Sequence, residues 1–185
     1  MTDRAAIIAL IADIFERRGA EDYLGEAVTM SEHMLQTAAL AEAEQAPDEL
    51  IAAALLHDIG HFTSEFGSYT PIDTVDRYHD SAGAQVLATA FPAMVVEAVR
   101  LHVAAKRYLC AVEPDYYANL STASKHSLAL QGGPMDDGMI AAFRRERFYE
   151  AAVQVRRWDD RGKVAGLTPA SFAHFRPLLE RLVTA

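Results

Sequence analysis

One cysteine, Cys110, stands among 185 residues. A lone thiol excludes an intrachain disulfide and suits a reducing compartment. Long apolar runs are missing as well: nothing approaches the ~20 residues of a membrane-spanning helix. The opening segment MTDRAAIIALIADIFERRG is hydrophobic, but Asp13, Glu16, Arg17 and Arg18 interrupt it in the rhythm of an amphipathic helix, not of a signal peptide. The expectation is a chain that begins near Met1 and works in the cytoplasm. Positive charge is also scarce, 17 Lys and Arg against 26 Asp and Glu, for a net charge of -9. Phosphate-backbone binding needs a concentrated cationic surface, so nucleic acid is excluded as the main partner. The few clustered cations are Lys106, Arg107, Arg156 and Arg157. Repeats, low-complexity tracts, blocks of like charge and alternating strand patterns are absent.

What the chain does contain is helical periodicity in a composition that is 51% hydrophobic, long enough to bury a substantial core. Ile7, Ile8, Ile11, Ile14 and Phe15 make one face, with Gly19 as a stop. Thr29 and Glu32 form a capping-box pattern opening a helix through about Ala46, Pro47 ends it, and Asp48 is placed to cap the next. His61 to Arg77 reads as a functional loop. Helices are expected around Asp80 to Thr89, after Pro92 through Leu109, from Pro114 toward Leu130, after the turn QGGPMDDG through Trp158, and from Pro169. The expectation is an all-α fold with irregular connections, one domain over residues 1–185.

The seven histidines are His33, His57, His61, His79, His102, His126 and His174. In AAALLHDIGHF, Ala52 to Phe62, an apolar run ends in an imidazole beside a carboxylate, and burying both requires pairing or a metal. Taken singly, each histidine is an ordinary core or surface residue. As a set, the first five fall on or near helices that pack apolar surface, and bundles build metal sites by bringing imidazoles and carboxylates to a common interior. His126 and His174 are read as structural or surface residues, and Trp158 as a core aromatic. Lys106 shares a helix face with His102 four residues before it, and Arg156 with Asp159 three residues after it. A solvated basic face is the ordinary alternative for both cations. Gly132 to Pro134 reads as a turn, since the Lys-Ser/Thr of a nucleotide loop does not follow it.

The order His33, His57-Asp58, Asp159 resembles the signature of the HD-domain superfamily, which implies an HD-domain helical bundle. With His79 and His102 added, the set is similar to that of two-metal members. There Asp58 would bridge, His33, His57 and Asp159 would hold one ion, and His79 and His102 the other, leaving positions open for substrate or oxygen. The segments DYLGEA, LHDIGHF, HVAAKRYL, QGGPMD and RRWDDRGK, between Asp22 and Lys163, narrow the resemblance. In order and spacing they resemble the HD-domain oxygenases that break carbon-phosphorus bonds in 1-hydroxyphosphonates, related in chemistry to inositol oxygenase. The catalytic core is then about residues 22–163.

That resemblance implies a mixed-valent Fe(II)/Fe(III) pair, O2 as co-substrate and a small organophosphonate as partner, with neither nucleic acid nor membrane involved and the oligomeric state open. It implies that Tyr23 ligates one iron at rest and that Glu26 hydrogen-bonds it until the amino group of substrate displaces them; an exposed tyrosine and a helix-N-terminal glutamate are the alternative. His61 would contact substrate beside the metals, Lys106 and Arg156 would face the phosphonate, and Ser124 and Gln131 would line its pocket. Products would be phosphate with glycine betaine, from 1-hydroxy-2-(trimethylammonio)ethylphosphonate, or with glycine, from 2-amino-1-hydroxyethylphosphonate. Phe62, Glu65, Phe66, Tyr69, Asp73 and Asp76 either cage a quaternary ammonium or anchor their loop. The competing class is an HD-type metal-dependent phosphohydrolase acting on a phosphomonoester or nucleotide; a ligand-sensing module without turnover is the third.

Overall fold

The computed structural model describes residues 4–18, 20, 25–63 and 74–184, and among them it is all-α with no sheet. The elements run α1 (Arg4–Asp13) with a π turn (Ile14–Arg18), α2 (Met30–Ala43), α3 (Asp48–Leu56), α4 (Gly60–Thr63), α5 (His79–Leu87), α6 (Ala93–Val112), α7 (Tyr116–Asn119), α8 (Thr122–Leu130), α9 (Asp137–Phe143), α10 (Tyr149–Arg161) and α11 (Phe172–Leu182). Gly19, Tyr23, Glu65, Phe66, Tyr69 and Asp73 lie outside the described residues.

The core sits where α2, α3, α6 and α10 meet, closed on one side by α1 and α11. Ile7, Ile8, Ile11 and Ile14 face it as their spacing requires. Ala52, Ala53 and Ala54 are fully buried, and their small side chains let neighbouring helices come close to α3. A second apolar cluster, Leu101, Ala105, Tyr108, Leu109, Phe143 and Ala152, joins α6, α9 and α10. Trp158 is buried, its indole Nε1 donating to Glu44 at 2.8 Å. No described helix is long and apolar enough to cross a membrane.

Several boundaries differ from expectation, each for a local reason. The capping box forms, with Glu32 N donating to Thr29 Oγ1 at 3.2 Å and Thr29 N to Glu32 Oε2 at 2.8 Å. But α2 ends at Ala43 because Gln45 enters the left-handed region (φ 57°) and Ala46 N reaches back to Ala41 O at 3.0 Å, a Schellman closure without glycine. Asp48 is the first helical residue of α3 and not its cap; Pro47 holds that place, and Asp48 pairs with Arg181 at 2.9 Å. The helix expected from Pro114 is broken at the extended Leu120, where Ser121 caps α8. The helix expected through Trp158 is two, α9 and α10, separated by a turn at Arg144 to Phe148. His61 belongs to α4 and not to a loop.

Gly60 works by close approach more than by turning. A Cβ there would stand 1.7 Å from the His79 carbonyl oxygen and 2.7 Å from Gly83 N. The bare backbone thus lets α4 lie on the first turn of α5, and the His61 and His79 rings stack with centroids 4.1 Å apart. Gly60→Ala forces that contact apart; by the ordinary cost of overpacking it loses at least about 1–3 kcal/mol of stability, to be read as a lowered denaturation midpoint.

Candidate metal centre

Five elements contribute one polar group or two each to a single interior point. The capping box of α2 places His33 on its first turn, α3 runs into His57 and Asp58, α5 begins at His79, α6 carries His102 mid-length, and α10 carries Asp159 near its end. His33, His57, Asp58, His61, His102 and Asp159 are no more than 2% exposed and His79 is 9%.

The histidines are oriented from behind. His33 Nδ1 lies 2.8 Å from Gly162 O, His57 Nδ1 2.8 Å from Ala54 O, and His102 Nδ1 2.7 Å from Val99 O. A carbonyl only accepts, so each Nδ1 carries the proton and each Nε2 turns a lone pair inward, as metal-ligating histidines do. His33 Nε2 and His57 Nε2 then face each other at 3.0 Å, a juxtaposition of lone pairs that either a metal ion or a shared proton between them relieves. His79 Nε2 and His102 Nε2 stand 3.2 Å apart.

Asp58 divides its carboxylate between these pairs. Oδ2 lies 3.5 Å from His33 Nε2 and 3.4 Å from His57 Nε2. Oδ1 lies 3.5 Å from both His79 Nε2 and His102 Nε2, and 3.8 Å from His61 Nε2. Asp159 Oδ1 joins the first pair, 3.3 Å from His33 Nε2 and 4.0 Å from His57 Nε2. Asp58 Oδ2 and Asp159 Oδ1 are buried and accept no hydrogen bond among the described residues. Ligand atoms ~2.1 Å from one ion stand about 3.0–3.4 Å apart when adjacent and up to about 4.2 Å when opposite, a range that covers the 3.0–4.0 Å seen here. The donors therefore fit two ions that share Asp58, and two groups, His33-His57-Asp58 and Asp58-His61-His79, each hold their ligand atoms within 4.8 Å of one another.

The electrostatics of the protein groups by themselves keep both carboxylates ionised and His79 neutral, while Asp58 and Asp159 outweigh burial at His57 and raise it above its ordinary value. Burial alone would raise the Asp58 carboxyl, but the imidazoles, His57 foremost, hold it well below the usual range. Burial opposes ionisation of Asp159 too and is outweighed by Arg156 and Lys163. Burial pushes His79 well below its ordinary value, keeping the ring neutral as a ligand must be.

Beside this point opens a cavity. Lys106, Ser124, Gln131 and Arg156 all line it, with Glu26, His61 and Asp76. Lys106 Nζ donates to Ser127 Oγ at 2.8 Å, and burial, helped by Arg156, pushes its ammonium down to about 7. Glu26 accepts from Ser121 and lies 3.8 Å from Lys163 Nζ. Arg156 also has partners within the protein: Nη1 lies 2.7 Å from Asp159 Oδ2, Nη2 binds Asp160, and Nε donates to Tyr116 Oη at 3.1 Å. Phe62 packs in the core under Arg18, whose Cζ stands 4.9 Å from its ring. Arg107 donates to Gly133 O at 2.8 Å and Arg157 pairs with Glu113. His174 meets Glu42 at 2.9 Å on the surface.

Sequence reasoning missed Lys163 and Ser127 as cavity residues. Lys163 Nζ lies 3.5 Å from Asp159 Oδ1 and 3.3 Å from Ser124 Oγ. Its place four residues after Asp159, and that of Ser127 three after Ser124, were the available signals.

Comparison with known proteins gives consistent findings. Residues 30–135 match the family described as HD domain. The chain is 52% identical over 181 residues to the [1-hydroxy-2-(trimethylamino)ethyl]phosphonate dioxygenase (glycine-betaine-forming) of Leisingera caerulea, covering 98% of this chain and 92% of that protein. It is 49% identical over 148 residues to the hydroxymethylphosphonate dioxygenase of Gimesia maris, covering 80% and 74%. It is 30% identical over 175 residues to protein L432 of Acanthamoeba polyphaga mimivirus, covering 91% and 78%.

The expected metal content is two divalent ions per chain after anaerobic loading with Fe(II) and desalting. Asp58→Ala, which removes the shared ligand, brings this below one, and His102→Ala leaves about one; metal analysis of the three proteins checks both.

Proposed function

The chain belongs to the HD-domain family, and from that premise we propose that it is an iron- and O2-dependent enzyme that cleaves the carbon-phosphorus bond of 1-hydroxy-2-(trimethylammonio)ethylphosphonate to glycine betaine and phosphate. The observation that carries this reading is the shared Asp58 carboxylate, one oxygen toward each histidine pair, beside a cavity that also presents cations. The likeness to the Leisingera caerulea dioxygenase supports the choice of substrate. Overall, one O2 is taken up, and the C1 carbon loses its hydrogen and its phosphorus to become a carboxylate, with no further reductant.

His33, His57 and Asp159 would hold one iron, His79 and His102 the other, with Asp58 between them. When bound, a mixed-valent pair supplies Lewis acidity toward the substrate hydroxyl and an electron for O2. The chain's own residues bind and orient. Lys106, whose hydrogen-bond partner Ser127 is uncharged, directs at the phosphonate the charge it carries below about 7, and Lys163 adds a second ammonium across Ser124. Gln131 Oε1 is buried and accepts no hydrogen bond among the described residues, which leaves it as an acceptor for a substrate hydroxyl. Glu26 and Asp76 put negative charge on the cavity wall, suited to a quaternary ammonium that offers no donors. Tyr23 and Glu26 would guard the open metal position at rest, and His61, stacked on His79, would touch substrate beside the second ion. Metal-binding residues from His33 to Asp159 support a single catalytic domain with its core at about residues 22–163.

Phosphate release by the iron-loaded, partly reduced protein is expected in air and not under strict anaerobiosis, and faster from the trimethylated phosphonate than from 2-amino-1-hydroxyethylphosphonate. Release that needs no O2, or turnover only of phosphomonoesters or nucleotides, would overturn the proposal in favour of a phosphohydrolase.

The ammonium of Lys106 is charged below about 7 and neutral above, so kcat/KM falls as pH rises past that value. Lys106→Met flattens this alkaline limb and lowers kcat/KM about 10- to 100-fold, the range of a lost charged hydrogen bond; pH profiles of both proteins provide the check.

A further inference from the structure

Asp159 presents only one of its two oxygens to the histidines. Oδ1 faces His33 Nε2 at 3.3 Å, while Oδ2 is taken by Arg156 Nη1 at 2.7 Å. Arg156 is itself held by a closed ring of contacts. Its Nη2 binds Asp160 Oδ1, its Nε donates to Tyr116 Oη at 3.1 Å, and Tyr116 Oη donates to Asp160 Oδ2. The side chain of Arg156 is 5% exposed and that of Asp160 21%, so the ring is largely shielded from water and its contacts are weakly screened. Tyr116 sits on α7, in the connection between the helix that carries His102 and α8, so the ring ties that connection to α10.

We propose that Tyr116 and Asp160 are positioning residues that act through Arg156 to keep Asp159 a single-oxygen ligand, and so set how tightly the ion on the His33-His57 side is held. This rests on the two-metal reading above. Two physical effects run in the same direction. The ring fixes the guanidinium, and with it the carboxylate plane that aims Oδ1 at the histidines. Asp160 also shares the positive charge of Arg156, which would otherwise fall wholly on Asp159 and draw electron density from the ligand oxygen. Among the described residues no hydrogen bond or ion pair links Tyr116 or Asp160 to His79 or His102, so the second ion is untouched. Arg156, expected from the sequence to face the phosphonate and lining the cavity, thereby also acts on Asp159.

The test compares the full-length protein, Tyr116→Phe, Asp160→Asn and the control Glu113→Gln, which breaks the neighbouring Arg157–Glu113 pair and removes none of the ring's own hydrogen bonds. Each is loaded anaerobically with Fe(II), equilibrated with a graded chelator and analysed for iron per chain; thermal unfolding of the metal-free proteins verifies the fold. The expected result is that both ring variants release one of two ions at chelator concentrations about 10- to 100-fold lower than wild type, the usual cost of losing an outer partner of a ligand. Their second ion, and both ions of Glu113→Gln, follow wild type. Should Asp160→Asn fail to fold, Tyr116→Phe, which loses a single hydroxyl, decides. Ring variants that release both ions as wild type does, or weaken both equally, overturn the proposal. A wild-type protein that holds fewer than two ions overturns the two-metal reading itself, and the proposal with it.

Discussion

The Asp58 carboxylate, buried among imidazoles and facing a different pair with each oxygen, is the interaction on which the rest of the molecule depends. Taking such a charge out of water costs several kcal/mol, and the attraction of its neighbours must recover it. That demand reaches into the fold. It requires α2, α3, α5, α6 and α10 to converge within ligand distance, which in turn requires alanines along α3 and a glycine at position 60 where α4 meets α5. Gly162 meets the same need: a Cβ there would stand 2.3 Å from Thr37 Oγ1, and its carbonyl orients His33.

Around that centre the cations divide according to their partners. Arg156 sits between two carboxylates, which share its charge. Lys106 is held by a serine hydroxyl, which fixes the ammonium in place without neutralising it. A chain of net charge -9 can in this way present a local positive wall to a dianion. The partner, hydroxyl or carboxylate, decides whether a buried cation is structural or available to a ligand.

Part of the candidate metal centre was legible in advance because its chemistry leaves a mark in the sequence, and the full ligand set came from the resemblance to the HD signature. An apolar run ending in His57-Asp58 makes sense only if something offsets the burial, and four more histidines on apolar helices share the same difficulty. The helix pattern was legible for the same reason, down to the capping box at Thr29. Local backbone events were harder to read: a non-glycine Schellman closure at Gln45 and breaks at Leu120 and after Phe143 override an otherwise continuous helical pattern. Lys163 escaped notice because a lysine past a helix end is, in one dimension, indistinguishable from any solvated residue.

Hydrophobic period and caps thus determined by themselves an all-α chain, because each depends on neighbours within a few residues, and the His-Asp order, through the family it resembles, pointed to a polar interior fit for metal. How Asp58 shares its oxygens, which cations remain for a ligand, and the ring by which Tyr116 and Asp160 hold Arg156 were decided only by the tertiary structure. Those features are distances of about 3 Å between groups on different helices, and a displacement of one ångström, to which no spacing along the chain is sensitive, would change every one of them.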